Sequence, residues 1–128
     1  MTTTIELTVA GTKGVWAVRS ESATVYYLDT YGERLLRAPG EGSTVGPYDG
    51  CWVALVSVES ESGAGVIKVG DRHRWLTDPE PGARDYRWWV QRRCIAIEPV
   101  PAEDVPAGRE PEPGEKWRVS GRRFDDHR

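Results

Sequence analysis

Arginine beside tryptophan is the combination in this chain with the most chemical reach. It occurs as RHRW over 72–75, YRWWVQRR over 86–93 and KWRVSGRR over 116–123. A guanidinium lies flat on an aromatic ring and forks onto carboxylate or phosphate, while an indole fills a partner's pocket or stacks on a base. Charge gathers in the same places. Residues 72–93 hold six Arg against three acids, and 116–128 hold five basic groups against two acids. Residues 98–115 hold six acids and one Arg. The candidate binding residues are Arg72, Arg74, Trp75, Arg87, Trp88, Arg92 and Arg93.

Such residues suit a protein partner or a second copy of the chain, since interface centres favour large aromatics and Arg. They also suit single-stranded nucleic acid, which is the alternative. Against both stands the ordinary use of these types: Trp at alternate strand positions packs the core, and the intervening Arg covers the outer face. The acidic stretch could also lie across the basic strand face, in its own or a neighbouring chain, and screen it.

Other chemistry has less to build on. The chain has Cys51, Cys94, His73 and His127, in no metal-ligand spacing such as C-x-x-C or H-x-x-x-H. A structural zinc site needs four such ligands in reach, and no EF-hand-like run of Asp is present. Cys51 or Cys94 with His73 and a carboxylate would make a nucleophile and base only if the fold united them. Both cysteines stand in apolar runs, CWVALV and CIAIE, where cysteine serves as a small core hydrophobe. Gly40-x-Gly42 and Gly63-x-Gly65 sit in polar loops with no helix behind them, unlike a phosphate loop. The expectation is a non-enzymatic interaction module with no catalytic residue, metal or cofactor.

The elements that must position these residues read as strands. GVWAVRSESATVYYLDTYGERLLRAPG, over 14–40, gives three β-favouring runs separated by polar turns, which is a meander. Alternation puts Trp16 and Val18 on one face, Tyr26 and Leu28 on one face, and Leu35 or Leu36 inward. Asp29 and Gly32 are the turn formers, with Gly32 free to take positive φ. Ile5, Leu7 and Val9 alternate as a half-buried strand. Cys51 to Val56 is continuously apolar, as for a central strand covered on both faces. Val66–Val69, Arg72–Leu76, Tyr86–Val90 and Cys94–Glu98 supply further short strands. Gln91-Arg92-Arg93 breaks the pattern, as a tight turn between two strands or, the favoured reading, as a bulge in one long bent strand. The core is expected at Trp16, Leu28, Trp52, Val56, Ile67, Trp89, Ile95 and Ile97.

These elements make one all-β domain over 1–98, a small barrel or strongly bent antiparallel sheet of about six to eight short strands. From Pro99 the composition changes to an acidic Pro-rich tail over 99–128, extended or disordered, ending in a basic-aromatic segment at 116–124. The chain of 128 residues has net charge −3 and 29% charged residues, which argues against a generally basic nucleic-acid binder. No apolar run approaches the roughly 20 residues a membrane helix needs, and MTTTIELTVAG is not a secretory signal. The expected setting is the cytoplasm, away from membranes, with free thiols.

The order of W-x-V (Trp16, Val18), Y-x-L-D (Tyr26 to Asp29), R-x-P-G (Arg37 to Gly40), D-G-x-W (Asp49 to Trp52), Trp89 and I-x-I-E (Ile95 to Glu98) resembles a loose group of uncharacterised small β-rich proteins of actinobacteria and their phages. The resemblance spans about residues 14–98. It implies a small β-fold and a phage or mobile-element origin, and it carries over no activity, cofactor or site.

Overall fold

The computed structural model describes residues 4–117 and the backbone of 122 and 123. Its strands are β1 (Glu6–Thr8), β2 (Val15–Ser20), β3 (Val25–Asp29), β4 (Arg34–Ala38), β5 (Thr44–Val45), β6 (Trp52–Ser60), β7 (Gly63–Ala64), β8 (Val66–Lys68), β9 (His73–Asp78), β10 (Arg87–Gln91), β11 (Cys94–Pro99) and β12 (Arg122–Arg123). The described residues contain no α-helix, only short 3-10 turns at Ala102–Asp104 and Glu115–Trp117. The fold is all-β.

The main sheet has eight strands, in the order β10-β9-β6-β4-β3-β2-β11 with β7 added to β6, and every pairing is antiparallel. The expected meander forms its centre. Trp16 stands opposite Leu28 and Val18 opposite Tyr26, and both Leu35 and Leu36 are buried. Asp29 shapes the β3–β4 turn by accepting the Tyr31 and Gly32 amides. The positive φ falls on Glu33, at 52°, and not on Gly32. Asp29 holds the two preceding amides, so the reversal is completed one residue later.

The ladder is not closed into a barrel. Yet β10 and β11, at opposite ends of the strand order, are separated in the chain only by Arg92 and Arg93. The sheet must therefore curl until its ends meet. Gln91 ties that seam. Its Nε2 donates to the Val18 carbonyl on β2 (2.9 Å), and its Oε1 accepts from Trp75 Nε1 on β9 (3.3 Å). The segment expected as a bulge within one strand is thus a corner between two strands with different partners. β8 pairs with β1, with Leu7 opposite Ile67 and both buried.

The core gathers Val18, Tyr26, Leu28, Leu35, Val53, Val58, Ile67, Trp75 and Ile97, with Trp16 and Trp89 packed partly buried against it. Val56 and Ile95 are not core residues: they are 48% and 56% exposed. Each sits where the ladder slips, between Leu55 and Ser57 in β6 and between Cys94 and Ala96 in β11. A β-bulge inserts an unpaired residue and flips the alternation beyond it. Trp52 is half-buried, its Nε1 donating to the Pro106 carbonyl (2.8 Å).

Pro106 belongs to residues 100–117, which run extended along the domain and are fastened to it. The Arg109 amide donates to the Gly50 carbonyl (2.9 Å), and Arg109 Nε to the Asp49 carbonyl (2.9 Å). Arg109 Nη2 also binds Glu115 Oε2 (2.8 Å), and that carboxylate, 2% exposed, accepts the Tyr48 amide (2.8 Å). Burial raises the Glu115 carboxyl, but Arg109 and the Glu112 and Tyr48 amides outweigh it and bring it down to about 2. This acidic stretch is clamped by its own Arg and Glu. Most of the basic-aromatic segment at 116–124 lies outside the described residues. The backbone of Arg122 and Arg123 pairs with Val45 and Thr44.

Candidate functional site

β10 closes one end of the sheet order, and no described strand pairs with its outer edge. Its register with β9 runs from Arg87–Thr77 to Gln91–His73 without a slip. Alternation therefore turns Arg87, Trp89 and Gln91 inward and Trp88 and Val90 outward. The outward pair is 43% and 67% exposed, and Tyr86, just ahead of the strand and in phase with them, is 54% exposed. Together they make an apolar stripe on an edge strand.

The edge opens onto a groove of about 300 Å³ lined by Tyr26, Arg37, Thr44, Asp49, Arg87 and Trp89, among others. Tyr26 forms its floor, stacked on Trp75 at 5.8 Å and meeting Trp89 edge-on at 6.1 Å. Arg37 Nε donates to the Tyr26 hydroxyl (3.2 Å), and Arg37 Nη1 pairs with Asp49 Oδ2. Asp49 is buried and also accepts the Gly46 amide (2.8 Å). Burial lifts the Asp49 carboxyl above the usual carboxylate range, against the pull of Arg37. Arg87 Nη2 reaches the Lys116 carbonyl (3.3 Å), with its guanidinium 5.7 Å from the Tyr48 ring. Tyr48 Oη donates to Glu80 (2.7 Å); burial first, then this acceptor, pushes the phenol up to about 12.

The sequence-derived set divides across this geometry. Arg87, Trp88 and Arg92 border the groove or its continuation toward Ser20 and Thr24. Arg72, Arg92 and Arg93 join at the β10–β11 corner, around a hollow of about 450 Å³ with Val90 and Glu21. Arg74 lies 4.4 Å above the Trp88 ring and pairs with Glu59 at 3.3 Å. Trp75 is not a surface residue: it is fully buried, and its place in the candidate set is corrected to the core. Its indole fills the space under the seam and donates to Gln91. Sequence reasoning missed Tyr26, Arg37, Asp49 and Gln91. Arg37 ends a strand run and Asp49 precedes Gly50 in a loop, and nothing in their spacing announced the pair.

The nucleophile geometry drawn from sequence meets buried groups. Cys51 and Cys94 are both buried, and burial pushes the Cys94 thiol up to about 11. His73 is buried with its Nε2 accepting the Lys68 amide (3.1 Å), and burial lowers its basicity. Among the described residues no three His, Cys, Asp or Glu side chains group to hold a metal ion, and no helix is long and apolar enough to cross a membrane. Compared with protein-family models, curated proteins and solved structures, the chain matches none.

Proposed function

We propose that this chain is a non-enzymatic interaction module that binds a protein segment along the outer edge of β10. The observation that carries this reading is an edge strand that no described strand pairs, with Tyr86, Trp88 and Val90 exposed along it. An edge offers backbone N–H and C=O groups to an incoming strand, and alternate side chains supply specificity. Trp88 and the Arg residues around it are the types that anchor interface centres. The sequence resemblance adds a phage or mobile-element origin to the proposal.

The second reading, single-stranded nucleic acid, is favoured by the convergence of Arg72, Arg92 and Arg93 at one corner. It loses ground because Trp75 is buried and one face of Trp88 is already occupied by Arg74, which leaves few ring faces for bases. The test is capture by tagged protein from a host lysate, with and without nuclease, using wild type and Trp88→Glu. A discrete protein that survives nuclease and is lost with Trp88→Glu is the expected result. Captured material that vanishes on nuclease treatment, and binding to an oligonucleotide that falls steeply with salt, would overturn it in favour of nucleic acid.

A further inference from the structure

We infer that the segment taken by the β10 edge is the β10 strand of a second copy of this chain, paired antiparallel about Trp89. This rests on the reading of β10 as the interaction edge and names its occupant.

Backbone direction comes first. Thr77 Oγ1 donates to the Arg87 carbonyl (3.0 Å), so the backbone groups of Arg87 face β9. Strand alternation then points those of Trp88 and Val90 outward. An antiparallel strand centred on Trp89 sets Trp88 opposite Val90 of the second copy. These are the residues able to exchange both N–H···O=C bonds, and the two-fold axis repeats the exchange on its other side.

Side chains select the same register. Trp88 packs beside Val90 of the second copy, joining the two exposed stripes. Tyr86 comes opposite Arg92, ring to guanidinium. Asp85, just ahead of the strand, comes toward Arg93 at the corner past the end of the second β10. The Asp85 and Arg93 side chains are 43% and 55% exposed, and their ion pairs among the described residues are long, 3.6 Å to Arg87 and 3.9 Å to Glu21, while the Arg93 carbonyl accepts the Glu21 amide at 3.1 Å. Both remain available. Neighbouring registers lose this match. Centring on Trp88 sets Arg84 against Arg92, and centring on Val90 sets Arg87 against Arg93. Like charges directly opposite destabilise a strand pair, so charge leaves the Trp89 register as the complementary one.

The experiment is sedimentation equilibrium on the purified full chain and its variants, with thermal melts as a folding control. Wild type is expected to dimerise. Val90→Pro removes an outward N–H and should weaken the dimer by roughly 100-fold. Asp85→Arg and Arg93→Asp should each weaken it about threefold to tenfold, and the double swap should restore it. The swaps lie on exposed side chains, so they carry the test should Val90→Pro fail to fold. A wild-type chain that stays monomeric at its highest soluble concentration, or a dimer indifferent to the swaps, overturns the inference. A monomer that still captures a distinct protein through Trp88 overturns only the second copy and leaves the edge reading standing.

Discussion

The two ends of the sheet have similar hydrophobic content and opposite treatment. β11 is an edge strand by strand order, yet its edge is blunted. Thr4 bridges to Ile97, Ile95 is displaced into a bulge, and the strand ends at Pro99. Among the described residues β10 has none of these devices: its ladder is regular, and it carries exposed Trp88 and Val90. Proteins suppress unwanted strand addition by bulges, proline and covering segments. Among the described residues these devices are present on one edge and absent from the other, and the proposed partner is placed on β10 for that reason. The ends meet at Gln91, so the open edge lies beside the covered one, and the whole Arg-rich corner borders the opening.

Substitutions distinguish the two edges. The largest effect is expected at the Trp pair on β9 and β10. Trp75→Ala should cost about 3–5 kcal/mol, since it empties a buried site and leaves Gln91 Oε1 without its donor. Trp88→Ala should cost under about 1 kcal/mol of stability while removing partner binding. Chemical denaturation of the two variants checks this, and equal losses would mean that β10 is closed like β11. Next come the β11 isoleucines: Ile97→Ala should cost about 2–4 kcal/mol and Ile95→Ala under about 1 kcal/mol. Equal costs there would remove the bulge from the account.

A smaller effect is expected at the clamp of residues 100–117. Glu115→Gln should cost about 1–3 kcal/mol, read from denaturant midpoints. The Glu115 carboxyl sits at about 2 when folded against 4.5 ordinarily, so its contribution is full above about pH 4.5 and is lost as pH falls toward 2. Fluorescence of Trp52, whose Nε1 is held by Pro106, should change over that window in wild type, and the window should disappear in Glu115→Gln. The smallest effect is expected at Arg19–Glu98, an exposed pair at 2.7 Å on the blunted edge. Arg19→Ala should shift stability by less than about 1 kcal/mol and leave association unchanged. A loss of association there would place the partner on β11 instead.

What the amino-acid sequence determined on its own was local. Turn formers and alternation are properties of neighbouring residues, so the β2–β3–β4 meander was legible, including Trp16 with Val18 on one face and Tyr26 with Leu28 on one face; the register that sets Trp16 opposite Leu28 came from the structure. The Arg–Trp segments were legible as candidates for the same reason. The tertiary structure decided what depends on a distant partner. A bulge exists only relative to the strand across from it, so Ile95 turned outward where alternation with Ile97 pointed it in; Val56 turned outward where the continuous apolar run implied cover on both faces. Trp75 and Trp88 look alike in sequence. One lies under the seam closed by Gln91 and Val18, and the other on the edge beyond it. Arg37 and Asp49 became a pair only when β4 and the loop before β6 met over Tyr26. Period-two patterning says which residues share a face; only long-range pairing says which face is covered and which edge is left open.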